Sequence, residues 1–90
     1  MRTTIDRGIG MDLEFVAVDD KSEGGTCPTI WVDKDTGNFV FQGFDAPADM
    51  LAACLAQGPV PEGESVVHLP RHMADAIRRA CELAERADVG

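Results

Sequence analysis

The stretch IWVDKDTGNFVFQGF, Ile30–Phe44, decides how the chain folds. Two runs rich in β-branched and aromatic residues, CPTIWVD and NFVFQGF, flank Asp33-Lys34-Asp35-Thr36-Gly37. Such runs favour strands. The residues between them are either a ligand loop or a turn. A calcium loop needs oxygen ligands at fixed spacings and a later bidentate Glu. Here Gly37 and Phe44 stand where two of those ligands belong. A Walker-type phosphate loop needs Gly-Lys-Ser/Thr before a helix, whereas this loop precedes a strand. Asp and Asn bond their own backbone in turns, and glycine takes positive φ without strain. The segment is therefore read as a hairpin turn, with Pro28 at a strand start or edge because it cannot donate to a ladder.

Upstream, LEFVAV (13–18) reads as a strand with Leu13, Phe15 and Ala17 on one face and Glu14, Val16 and Val18 on the other. Downstream, DAPADMLAACLAQGP reads as a short helix capped by Asp45, with Pro47 in its first turn and Gly58-Pro59 at its end. Leu51, Cys54 and Leu55 form its inward stripe, with Met50 at the edge. SVVHL reads as a further strand. Pro70 opens the longest helix, 70–87, with Met73, Ile77, Ala80, Cys81 and Ala84 on one face. The expected architecture is α+β: a small antiparallel or mixed sheet of about four strands, packed against the long C-terminal helix, with one short additional helix. Residues 11–90 form a single domain, and residues 1–10 are read as a flexible N-terminal arm or a product of start-codon choice.

Ninety residues hold one modest core. The net charge is −8, and its distribution is uneven: residues 11–64 carry eleven acids and two lysines, residues 70–90 four of each sign. An acidic body repels nucleic-acid phosphates and attracts a basic protein, although charge also serves solubility alone. No apolar run approaches the roughly 18 residues of a membrane span, and the N-terminus lacks a signal-peptide core, so the expected location is cytoplasmic. The odd cysteine count, Cys27, Cys54 and Cys81, argues against a disulfide framework.

Constellations for chemistry are weak. His68 and His72 in HLPRH are separated by Pro70, which ends a strand and starts a helix, and there is no Cys-x-x-Cys pair, so no metal site or cofactor is expected. Cys54 and Cys81 read as core residues, and His72 as an exposed first-turn residue. Cys27, the least obviously buried cysteine, has no recognisable base or oxyanion hole beside it. Asp19-Asp20, Asp33/Asp35 and Glu62/Glu64 lie in loops or turns, where solvated charge is the default. The chain is not expected to be an enzyme.

The hairpin itself departs from a purely structural pattern. Trp31 and Phe44 fall out of phase with Ile30, Val32, Phe39 and Phe41. So small a domain cannot easily bury both sheet faces. Either Trp31, Val40, Gln42 and Phe44 form an exposed apolar patch of the kind that marks interfaces, or the short helix covers them.

Met11–Phe15, Cys27-Pro28 with Trp31-Val32, Gln42-Gly43, Gly58-Pro59-Val60-Pro61, and Leu69-Pro70 with Met73 together resemble a group of small uncharacterised actinobacterial proteins encoded beside helix-turn-helix regulators. More distantly, the order of elements is similar to the BldB-like family of developmental regulators. Cys27 and the turn at Asp33–Gly37 correspond, while that family's Arg-Asp-Ser-Lys turn and helix tryptophan are absent. The resemblance implies a partner or antagonist of a helix-turn-helix regulator, an antitoxin-like arrangement being one form of this, and carries over no catalytic residue. On this reading Asp33 and Asp35 steer, Trp31 and Phe44 anchor, and Val40 and Gln42 complete the partner-binding surface. The partner is a basic DNA-binding protein, with no direct nucleic-acid or membrane binding. The alternatives are a self-associating structural protein, with a homodimer through the hairpin edge or a helix, and a small Cys/His enzyme or metal-binding protein.

Overall fold

The computed structural model describes residues 11–21 and 27–86. The expected N-terminal arm lies outside the described residues. Strands β1 (Leu13–Val18), β2 (Thr29–Asp33) and β3 (Phe39–Gln42) form an antiparallel sheet in the order β1-β2-β3. Strand β4 (Phe44–Asp45) leads to helix α1 (Ala48–Leu55). Strand β5 (Val67–His68) then pairs antiparallel with β4 in a separate two-stranded sheet. A 3₁₀ turn at Arg71–Met73 runs into α2 (Ala74–Arg86). The class is α+β, and among the described residues every strand pairing is antiparallel. The expected further strand exists, but it belongs to the second sheet, because the chain breaks from the first sheet at Gly43.

The hairpin turn is built as its sequence requires. The Asp33 N–H donates to Asn38 O (2.8 Å), and the Gly37 N–H donates to Asp33 O (2.7 Å). The Asp33 carboxylate accepts from the Asp35 N–H at 2.9 Å, an Asx turn. Gly37 sits at φ 83°, where a side chain would be strained.

One face of the first sheet carries the core. Ile30 and Val32 are fully buried against Met73, Ala76 and Ala80, with Val16, Ala17, Leu69, Ile77, Leu83 and Ala84 around them. The α2 face therefore repeats at i, i+3, i+4, i+7, i+10 and i+11 from Met73, a stripe rotated from the expected one. That rotation corrects the placement of Cys81, which is exposed, and adds Ala76 and Leu83. Glu82 and Arg86 pair across one turn at 3.7 Å as the i, i+4 order favours.

Two further expectations are corrected. The alternation of β1 is interrupted by a bulge between Phe15 and Ala17, which lets both Val16 and Ala17 reach the core. The N-cap of α1 is Pro47, with no side-chain cap bond, because Asp45 is held in β4.

Candidate functional site

Cross-strand register defines the second face of the first sheet. Phe15 lies opposite Trp31, and Trp31 lies opposite Val40, so the three residues form one row across all three strands. Residues directly opposite each other share a face, and this one is opposite to Ile30 and Val32. The α2 helix lies on the Ile30 face, and α1 makes at most marginal contact with any other element. Phe15 is 57% exposed, and Trp31 and Val40 are partly exposed.

The structure brings Trp31, Val40 and Gln42 together on this face and puts the hairpin turn at its end. The Gln42 amide donates to Cys27 O at 3.0 Å, tying β3 to the segment that enters β2. Asp35 is exposed, whereas Asp33 is buried with its carboxylate engaged in the turn. Phe44 stands in the second sheet opposite His68, with ring centroids 5.6 Å apart.

Apolar exposure is not confined to the Trp31 face. Phe39 and Phe41 share the core face with Val32 and Ile30, yet they are 48% and 41% exposed. The reason is coverage: α2 packs on β1 and β2, and β3 projects beyond it. Among the described residues, no helix therefore covers either face of strand β3. Phase analysis sorts side chains between faces, but it does not say how far a helix reaches across them.

A second cluster escapes sequence reading. Asp19, only 4% exposed, closes β1. Its backbone N–H donates to Pro28 O at 2.8 Å, and its Oδ1 accepts from the Lys21 N–H at 3.0 Å. The same oxygen lies 2.8 Å from His72 Nε2. His72 is exposed in its first turn, as expected, and in addition clasps the 3₁₀ turn to the end of β1. Beside the pair lies an open hollow of about 180 Å³, lined by Val18, Asp20, Lys21, Asp75 and Arg79 among others. A carboxylate that orients an imidazole is half of a catalytic arrangement, but no Ser, Thr or Cys is among the described residues that line the hollow. Signals for this contact were slight: Asp19 follows a strand, and His72 lies 53 residues away.

Cys27 and Cys54 are half-buried and Cys81 exposed, all three as free thiols. The most open of the three is thus Cys81, not Cys27. Among the described residues, no group of three or more His, Cys, Asp or Glu stands close enough to hold a metal ion. No described helix is long and apolar enough to cross a membrane. No protein-family model, curated protein or solved structure matches the chain.

Proposed function

We propose that this chain is a small acidic interaction module rather than an enzyme, acting in the cytoplasm on a basic DNA-binding regulator of the helix-turn-helix type. The observation that supports this reading is the row Phe15–Trp31–Val40 on a sheet face that no described helix packs against, within a chain of net charge −8. Aromatic side chains on an open face supply contact area, and surrounding carboxylates supply attraction to lysine and arginine. A basic reading helix held this way is unavailable to DNA, so the module acts as an antagonist. Within this site Trp31 anchors, Val40 and Gln42 extend the contact, and Asp35 steers. Asp33 contributes by holding the turn that presents Asp35. Phe44 contributes from the second sheet, its ring tilted against that of His68.

The test is co-purification of the tagged chain from its host at low salt, identification of a helix-turn-helix protein, and titration of the two purified components. Trp31→Ala is expected to weaken that binding by about 2 kcal/mol or more, and added salt is expected to weaken it further. Wild-type affinity in Trp31→Ala, with the far-UV circular dichroism unchanged, rules this surface out.

A further inference from the structure

We propose that the free edge of β3 pairs antiparallel with the same edge of a second copy, joining two three-stranded sheets into one six-stranded sheet. This inference does not rest on the regulator-binding reading.

The backbone geometry fixes the register. The bond from the Asp33 N–H to Asn38 O marks Asp33/Asn38 as a hydrogen-bonded pair. Pairs alternate along an antiparallel ladder, so Val32/Phe39 and Ile30/Phe41 are non-hydrogen-bonded pairs. The N–H and C=O groups of Phe39 and Phe41 therefore point away from β2, off the edge of the sheet. Among the described residues nothing bonds to them. A two-fold axis perpendicular to the sheet and midway between the two Val40 residues places Phe39 opposite Phe41 of the second copy and Val40 opposite Val40. Both Phe39/Phe41 pairs are then hydrogen-bonded pairs, and all the outward groups of these residues are satisfied at once. The strand is its own complement in this register.

The side chains agree with the backbone. Phe39 and Phe41, with ring centroids 6.0 Å apart, stand half-exposed beyond the reach of α2. In the paired sheet the rings of both copies meet over the junction, in the trench between the two α2 helices. Phe39–Gln42 carries no charged residue, so nothing on the strand guards its edge. The opposite edge is different: β1 carries the bulge and Glu14, both devices that blunt edge pairing. On the other face the row continues unbroken as Phe15–Trp31–Val40 and then the same residues of the second copy in reverse.

Charge sets the conditions. Two chains of net charge −8 repel each other, and salt screens that repulsion. Self-pairing therefore strengthens as salt rises. The experiment is sedimentation equilibrium of the wild-type chain across protein concentrations at low and high salt, with Phe41→Lys and Phe15→Lys alongside. The expected result is twice the monomer mass of 9.7 kDa at high concentration, favoured by salt. Dimer is lost in Phe41→Lys and retained in Phe15→Lys. A monomer under all conditions, or a dimer indifferent to Phe41→Lys, overturns the proposal. Amide exchange of the wild type gives a test free of any folding defect. Phe39 and Phe41 gain protection as protein concentration rises, while Val40 and Gln42, bonded to β2, are protected throughout. Concentration-independent exchange at Phe39 and Phe41 also overturns it.

Discussion

The two ends of the hairpin face very different surroundings, and the difference organises the molecule. Strands β1–β3 and α2 bury Ile30, Val32, Met73, Ala76 and Ala80 in one continuous cluster. The segment from Gly43 to Pro70, which holds β4, α1 and β5, contributes no buried residue. The first region is held by hydrophobic burial, the second by a two-residue ladder, the Phe44–His68 ring contact and the Leu69 anchor on the core. A chain of this length can bury only so much, and here the burial is concentrated in one half. Local opening is thus expected in the Gly43–Pro70 segment at free energies well below global unfolding.

The comparison breaks most sharply at Ile30. This side chain is fully buried where α2 crosses β2. Ile30→Ala is expected to cost about 2–5 kcal/mol, a large share of the roughly 5–15 kcal/mol available to a typical domain. Urea unfolding followed by the fluorescence of Trp31, the single tryptophan, reads this loss directly. A loss below about 1 kcal/mol would mean the site collapses around the missing atoms and the core is less tightly packed than its burial implies.

What was legible in the sequence follows the same division. The hairpin, β1 and α2 could be read because each has strong local signals: β-branched runs, an Asx-glycine turn, and a 3.6-residue apolar period after Pro70. Their inward residues Ile30, Val32, Met73 and Ala80 followed from phase. Phase failed at β1, where a bulge adds a residue that no local pattern announces. It also failed at Phe39 and Phe41, whose face was right but whose cover was assumed. In α2 it favoured Cys81 over Ala76 and Leu83 because a small angular error moves the stripe by one position. The Gly43–Pro70 segment was readable as elements but not as an arrangement. A two-residue strand carries almost no pattern, so nothing tied SVVHL to Phe44 rather than to the main sheet. The Asp19–His72 contact depended on tertiary placement across the whole domain, which spacing along a chain does not encode. Of the residues expected to bind a partner, Trp31, Val40, Gln42 and Phe44 group by phase; the first three share a face, but phase does not carry Phe44 past the break at Gly43. Asp33 and Asp35 join them by position in the turn, and Asp33 is buried there with its carboxylate engaged.

Gly43 is where the two regions meet, and it offers a way to separate them. A Cβ at this position would lie 2.7 Å from His68 O and 3.1 Å from Leu69 Cδ2. The first distance is to backbone, which cannot swing aside as a side-chain end can. Gly43→Ala is therefore expected to push β5 off β4 and to loosen the Phe44–His68 contact. The cost is about 1–3 kcal/mol, as for other overpacked sites, and it falls mainly on the lighter region. Hydrogen exchange should accelerate across residues 44–68 while the amides of β2 and α2 keep their protection. Uniform acceleration across both regions would show that they open as one cooperative unit and that the division is not energetic.

The smallest effect is expected in α1, and it sharpens the comparison most. An eight-residue helix is too short to persist in water on its own propensity, so it must draw support from its surroundings. Yet its apolar stripe is only half sheltered: Met50, Leu51 and Cys54 are partly buried, and Leu55 is 50% exposed. Support here comes from the chain on either side, with the Leu51 N–H donating to Pro47 O and the Gly58 N–H donating to Cys54 O. On this arrangement Leu55→Gln removes little burial and leaves those backbone bonds intact. Its effect on global stability should stay within about 0.5 kcal/mol, the range of surface substitutions. The same urea titration that reads Ile30→Ala measures it. If Leu55→Gln instead costs as much as a core truncation, α1 is docked through its stripe on a surface that shelters it in solution. The contrast between the two regions would then lie in what covers each, not in how much each can bury.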